Sequence, residues 1–288
     1  MDNDFGIRTR LNQQMIDRLE ARPPEDPQGL WRLASLYRQV GKLAAARRTI
    51  ERIPPAQRTP AARRLLRILA REPLAPSAEE LGYQPSAFTL YDDFLAEEDH
   101  QALLHCARER REDFAPGKVY TPDHQDAPVV AHNARSSLVL SSPDEIAEWL
   151  LPRVRERVGE SLPVLGLPSF DLFDTEIHVS ASGNGDRLHC HQDVRPEPAP
   201  QRRVSYVLYF RVGEPSFQGG DFILYDTDVA ADRWDPNAYT RIEPLDNRLL
   251  LFAGNTYHEV AEVRCDPADW EARRFAVCGW FRQPVRDA

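Results

Sequence analysis

A chain of 288 residues, 42% hydrophobic and 28% charged, has room for one large or two smaller domains and is too apolar to stay disordered. The net charge of −9 excludes nucleic acid as the default partner, no apolar run approaches the ~20 residues of a membrane span, and the start MDNDFGIRTR lacks an apolar signal core, so a cytoplasmic protein away from the membrane is expected. Four scattered cysteines (Cys106, Cys190, Cys265, Cys278) without a CxxC argue against a disulfide scaffold or a zinc ribbon.

In chain order, residues 10–72 read as helices. Leu11, Met15, Ile16 and Leu19 recur at helical spacing. The stretch from Leu30-Trp31 through Tyr37, Gly41 and Ala44-Ala45-Ala46 to Ile50 and Ile53 resembles one tetratricopeptide helical hairpin, with small residues allowing close helix approach. Residues 1–75 therefore form an expected small α-helical, tetratricopeptide-like module. It carries 15 Arg and Lys against 8 Asp and Glu, while the remainder carries 21 against 37. One such unit without an array reads first as a cap on its neighbour, and second as a platform for a protein partner. Arg63, Arg67 and Arg71 share one helix face, read as solvated.

The Pro-rich polar run after residue 73 supplies a linker, placed at 76–87. Beyond it, 88–288 reads as the catalytic domain. Phe88–Tyr91 is strand-like, 97–111 and 143–158 are helical, and Ser142-Pro143-Asp144 opens the second helix. Strands follow at 170–181, 186–193, 203–211, 220–226, 248–253, 257–263 and 274–282. Many short strands separated by turn residues predict a mainly β jelly roll backed by helices. The long polar segments 115–134 and 227–241 read as lids bordering a substrate entrance.

Chemistry concentrates at His191-Gln192-Asp193. Strand alternation puts His189, His191 and Asp193 on one face and Cys190 and Gln192 on the other. With His258 from a distant strand, two imidazoles and one carboxylate make the ligand set that holds non-haem Fe(II) and leaves positions open.

The ordered set GNGDRLHCHQD (183–193), VSYVLYF (204–210), GGDFILYD (219–226), NRLLLFAGNTYHEV (247–260) and RRFAVCGWFR (273–282), with FTLYDDFLAEED, DFAPGKV and ARSSLVL upstream, resembles the prolyl-4-hydroxylase-like branch of the Fe(II)/2-oxoglutarate-dependent oxygenases. The resemblance implies a double-stranded β-helix, with His191, Asp193 and His258 as iron ligands. It implies Arg274 and Tyr209 on the far carboxylate of 2-oxoglutarate, and O2 as the second co-substrate. Succinate and CO2 are the implied co-products. Asp193 favours hydroxylation, since related halogenases lack the carboxylate. Trp280, sharing a face with Arg274, Ala276 and Cys278, should line the pocket. His189, Arg135 and Cys278 are further substrate-pocket candidates. Arg273 is the alternative cation, but alternation points it away. A family tyrosine ten residues before the first ligand His is replaced by Ala181, which implies a missing contact.

The expected function is hydroxylation of an unactivated C–H, in a peptide or protein residue such as proline. The alternative is the same chemistry on a small molecule, a free amino acid or natural product. A cupin-type metal protein and a non-enzymatic interaction protein rank lower, because the expected cupin Glu arrives late and the triad is intact.

Overall fold

The computed structural model describes residues 5–74, 82–121, 124–130, 136–171, 174–194, 201–213, 217–228 and 230–284. In chain order these give α1 (Phe5–Ala21), α2 (Pro27–Gln39), α3 (Leu43–Glu51), α4 (Pro60–Ala70), β1 (Phe88–Tyr91), α5 (Glu97–Glu109), β2 (Ala115–Pro116), β3 (Val119–Thr121), β4 (His124–Val129), β5 (Leu138–Ser141) and α6 (Asp144–Ser161). Then follow β6 (Asp174–Ser182), β7 (Leu188–His191), β8 (Gln201–Phe210), β9 (Gln218–Gly219), β10 (Phe222–Asp228), β11 (Arg233–Ile242), β12 (Arg248–Ala253), β13 (His258–Val260), β14 (Val263–Arg264) and β15 (Arg274–Gln283). Helices followed by antiparallel sheets of the double-stranded β-helix type are the expected fold class.

The chain divides into two compact units. The first is Met1–Thr89, Leu162–Pro168 and Ile223–Ile242. It joins the helices to most of β10 and all of β11, a stretch that the sequence alone placed in the catalytic segment. Helix starts follow local chemistry. Asp26 accepts the Gly29 N–H at 2.8 Å ahead of Pro27, and Thr59 accepts the Ala62 N–H at 3.2 Å ahead of Pro60. Ile16, Leu33, Tyr37 and Ala46 form one apolar cluster, and Ala34, Ile50, Ala62 and Leu65 another. Phe5 meets Tyr239 edge-on at 5.5 Å, and Arg38 of α2 is buried in a bidentate pair with Asp226 of β10.

The expected lid at 227–241 is instead mostly strand. Asp228 accepts the Ala231 N–H and turns the chain, and β11 then returns beside β10 with Tyr239, Thr240 and Ile242 buried. The polarity that read as a loop belongs to an edge strand, where Pro236 is tolerated. In the expected linker, Ser86 donates to the Tyr225 carbonyl at 2.6 Å and Gln84 bridges to Thr227, whereas 75–81 lie outside the described residues. Of the other expected lid, 115–134, the described parts are β2 and the β3–β4 pair.

The second unit is Leu90–Ser161, Ser169–Phe222 and Glu243–Ala288. Its large sheet runs β1-β12-β8-β15-β6-β5-β2. Alternation divides this sheet cleanly. Phe275, Val277 and Phe281 of β15 are buried on one face, and Arg155 of α6 lies over the Phe281 ring at 5.7 Å. Leu103, Leu104, Leu150, Val154 and Val158 of α5 and α6 are buried as well. The opposite face of β15 carries Arg274, Ala276, Cys278 and Trp280, of which Cys278 and Trp280 are only half-buried. β7 and β13 pair antiparallel, with His191 opposite His258.

Candidate metal centre

The pairing of β7 with β13 creates the site. It brings two residues 67 positions apart into register, and their rings lie 4.1 Å apart between centroids. Asp193 follows just past the end of β7, its N–H donating to the Gly254 carbonyl at 2.9 Å. His191 Nε2 is then 3.6 Å from Asp193 Oδ1, and His258 Nε2 is 3.7 Å from Oδ2. The ligand atoms of all three residues fall within 4.8 Å of one another.

Each imidazole is oriented by its other nitrogen. His191 Nδ1 is 2.8 Å from the His189 carbonyl and His258 Nδ1 is 2.9 Å from the Thr256 carbonyl. A carbonyl only accepts, so both Nδ1 atoms carry the proton and both Nε2 lone pairs face the centre. Phe222 stacks on the His258 ring at 5.1 Å and Phe252 meets it edge-on at 4.8 Å. Burial pushes His258 down to about 4, helped by the neighbouring His191, so it stays neutral. Burial also works to raise Asp193, but the His258 and His191 imidazoles and the Ser205 hydroxyl outweigh it and hold the carboxyl well below the usual range. A neutral His258 beside an ionised carboxylate suits a metal, which needs deprotonated ligands. Two nitrogens, one carboxylate and no thiolate suit Fe(II).

The register of β8, β15 and β6 lays out the floor of this site in rows. Trp280 lies between Ser205 and Glu176, Cys278 between Val207 and His178, Ala276 between Tyr209 and Ser180, and Arg274 opposite Ser182. Ser205 marks the metal end, because its Oγ donates to Asp193 Oδ2 at 2.6 Å. Arg274 marks the other end. It is 3% exposed, with its guanidinium carbon 4.9 Å from the Tyr209 ring centroid. Arg274 Nε and Nη2 and the Tyr209 hydroxyl are all buried without a hydrogen-bond partner among the described residues. Burial holds the Tyr209 phenol above its ordinary value against the pull of Arg274, which keeps it a proton donor. Buried donors of a neighbouring guanidinium and phenol, left without a partner, fit an anionic ligand such as a carboxylate. Gly220, at φ +67°, makes room for this cation, since a Cβ there would lie 2.5 Å from Arg274 Cδ.

The other expected residues fall as follows. Trp280 carries the Arg202 guanidinium 3.7 Å from its centroid, and Arg202 is bidentate to Glu176 at 2.9 and 2.6 Å. Cys278 Sγ lies 3.8 Å from Ser180 Oγ. His189 enters the centre through its carbonyl. Arg273 turns the other way, toward Trp270 at 5.3 Å. Arg135 lies outside the described residues. Ala181 needs a correction. It pairs with Phe275, on the face away from Arg274, so the residues at that level of the site are Ser180 and Ser182. Sequence reasoning missed Ser205 and the fit of Gly220 to Arg274. Alternation from Tyr209 already placed Ser205 on the site face, but nothing in the sequence placed Asp193 beside it.

Residues 177–282 match the 2OG-Fe(II) oxygenase superfamily. Fold and centre together define a 2-oxoglutarate-dependent dioxygenase that uses Fe(II). Over 283 residues the chain is 24% identical to an uncharacterized PKHD-type hydroxylase of Synechocystis, spanning 97% of this chain and 81% of that protein. A prolyl 3-hydroxylase of Mus musculus is 30% identical over 102 residues, 34% of this chain and 17% of its own length. Two solved structures share the fold. The Pseudomonas putida prolyl-4-hydroxylase superposes with a TM-score of 0.50 at 21% identity, covering 69% of this chain and 93% of that one. The Trichoplax adhaerens prolyl hydroxylase, in complex with a hypoxia inducible factor peptide fragment, gives 0.51 at 20% identity, covering 68% and 83%. Among the described residues no helix is long and apolar enough to cross a membrane.

Proposed function

We propose that this enzyme hydroxylates an unactivated C–H bond in a peptide or protein residue, with proline the first candidate. The observation that carries the reading is the pairing of an intact triad with a second, buried cationic pocket on the large sheet whose Ser205 bonds Asp193. Names of similar proteins supply the substrate class, since both the solved structures and the mouse relative are prolyl hydroxylases. When bound, Fe(II) with 2-oxoglutarate and O2 supplies the oxidant, and succinate and CO2 leave as co-products.

The chain's own residues divide the work. His191, Asp193 and His258 hold iron on one side of its coordination sphere. Arg274 pairs with the distal carboxylate of 2-oxoglutarate through its unpaired Nε and Nη2, and Tyr209 donates its hydroxyl to the same group. Trp280, stiffened by the Arg202–Glu176 pair, forms an aromatic wall beside the metal end, suited to a ring or aliphatic side chain. His191, with a third of its side chain exposed, marks the open side. Helices α2 and α3 span the stretch whose sequence resembles one tetratricopeptide hairpin, for which a cap is the first reading and a platform for a protein partner the second.

The test is succinate release from 2-oxoglutarate, screened against proline-containing peptides and free amino acids, with mass spectrometry for one added oxygen. Peptide-stimulated, Fe(II)-dependent turnover is expected. Stimulation by a free amino acid and by no peptide refutes the substrate class. His191→Ala and Asp193→Ala should lose both iron and turnover.

A further inference from the structure

We infer that Ser205 is a positioning residue that keeps Asp193 coordinated through a single oxygen and so preserves the position O2 needs. The inference rests on the Fe(II)/2-oxoglutarate reading above.

The geometry is specific. Ser205 is 1% exposed, Asp193 is 7% exposed, and their hydroxyl–carboxylate hydrogen bond is 2.6 Å. An ionised carboxylate only accepts, so the hydroxyl donates and its O–H points at Oδ2. Cross-strand neighbours of Ser205 are Trp280 on β15 and Phe252 on β12. Between two aromatic neighbours at a dry position, a charge-assisted hydrogen bond is strong and directional. The two imidazoles do not choose between the oxygens. His191 Nε2 is 3.6 Å from Oδ1 and His258 Nε2 is 3.7 Å from Oδ2, so a metal seated among them meets both. Ser205 breaks that symmetry by occupying Oδ2 and pinning the carboxylate plane, which leaves Oδ1 as the better ligand.

The consequence is one of counting. An octahedral ion with two imidazoles and a monodentate carboxylate keeps three positions open, enough for a bidentate 2-oxo acid and one gas molecule. A bidentate carboxylate leaves two. The 2-oxo acid then fills the sphere. Ser205 therefore bears on O2 access in the presence of co-substrate, as well as on metal affinity.

The experiment uses the full chain, kept anaerobic. Fe(II) affinity is measured by competition with a chromogenic chelator. Nitric oxide, an O2 surrogate, is added to the Fe(II) protein with and without saturating 2-oxoglutarate, and the iron–nitrosyl signal is read by electron paramagnetic resonance. Ser205→Ala should weaken Fe(II) binding on the order of 10–100-fold. At saturating iron it should give a nitrosyl signal without 2-oxoglutarate and lose most of that signal with it. Ser205→Thr, which keeps the hydroxyl, should restore both. Ser205→Cys, a near-isostere with a weaker donor, should fall between wild type and Ala should the Thr methyl not be accommodated. A merely structural serine would not produce a nitrosyl loss conditional on 2-oxoglutarate. The inference is overturned by an Ala variant with wild-type iron affinity and an undiminished signal in the ternary mixture. Failure of wild type itself to bind Fe(II) overturns the underlying reading instead, and the inference with it.

Discussion

The pair that holds the first unit together offers the sharpest test of its packing. Arg38 is 2% exposed, and its Nη1 and Nη2 lie 2.5 and 2.7 Å from the two carboxylate oxygens of Asp226. Thr240 Oγ1 adds a weaker contact at 3.4 Å, while the buried Nε has no partner among the described residues. Removing one member strands the other's charge where water does not reach, which costs about 3–5 kcal/mol. Domain stability is only ~5–15 kcal/mol, so Asp226→Asn or Arg38→Met should remove a large part of it. Replacing both is a different matter. The pair gives up solvation of two ions, and the orphaned Nε adds an unmet donor worth about 1–3 kcal/mol. Arg38→Met with Asp226→Leu should therefore be neutral or stabilising by up to about 4 kcal/mol relative to wild type. Urea denaturation followed by tryptophan fluorescence reads this, because Trp31 in α2 and Trp234 in β11 both sit in that unit. The singles should lower the midpoint at constant slope. The reasoning is refuted if Asp226→Asn stays within about 0.5 kcal/mol of wild type, the range of an ordinary surface change. It is also refuted if the double variant is as unstable as either single.

Four further outcomes follow from the second unit. Arg274→Ala should raise the KM for 2-oxoglutarate by on the order of 100-fold or more, since a desolvated charge pair is worth about 2–5 kcal/mol. Tyr209→Phe should raise it only several-fold, as one neutral hydrogen bond is worth ~1 kcal/mol, and an equal effect of the two substitutions would contradict the assignment. Gly220→Ala places a methyl 2.5 Å from Arg274 Cδ at φ +67° and should raise the same KM while leaving Fe(II) affinity unchanged; an unchanged KM in steady-state assays refutes it. His100 has its pKa raised by its hydrogen bond to Asp246, against burial, so its stabilising contribution is complete below ~6.5 and is lost as pH rises through the folded value. Melting temperatures of wild type and His100→Gln should differ most in mild acid and converge as pH rises. A gap that widens with pH would show the sign to be wrong.

How much of this was written in the sequence depended on whether the signal was local. The metal ligands were legible because HxD on one strand fixes two of them by alternation and a matching segment supplied the third. The helices were legible from the spacing of Leu11, Met15, Ile16 and Leu19 and from the Leu30–Ile53 pattern, while the caps Asp26 and Thr59 that start two of them went unread. β11 was not legible, because Pro236, Asn237 and its charges are turn chemistry by composition, and only packing of Tyr239 and Ile242 against neighbours makes the stretch a strand. Ala181 misled for a related reason. Counting back from a ligand across a turn does not preserve strand parity, and the register puts that residue on the far face.

The same register explains why the site tolerates so plain a set of residues. Ser205, Tyr209 and Arg274 stand on rows of one antiparallel sheet, with Cys278 and Val207 between, while His191 and His258 come from the β7–β13 pair of another; β8 and β15 are each flanked by strands on both sides. Positions are therefore set by backbone hydrogen bonds, and side chains need only be small enough to fit and polar where charge is met. That is why Gly220 and Ser205 matter as much as the conspicuous histidines. One yields space for Arg274, and the other supplies a donor to Asp193. Half-buried Trp280, with the Arg202–Glu176 pair against it, stands in the same row as Ser205 and so next to the metal end. A site built this way can exchange its substrate wall while its iron and co-substrate rows stay fixed.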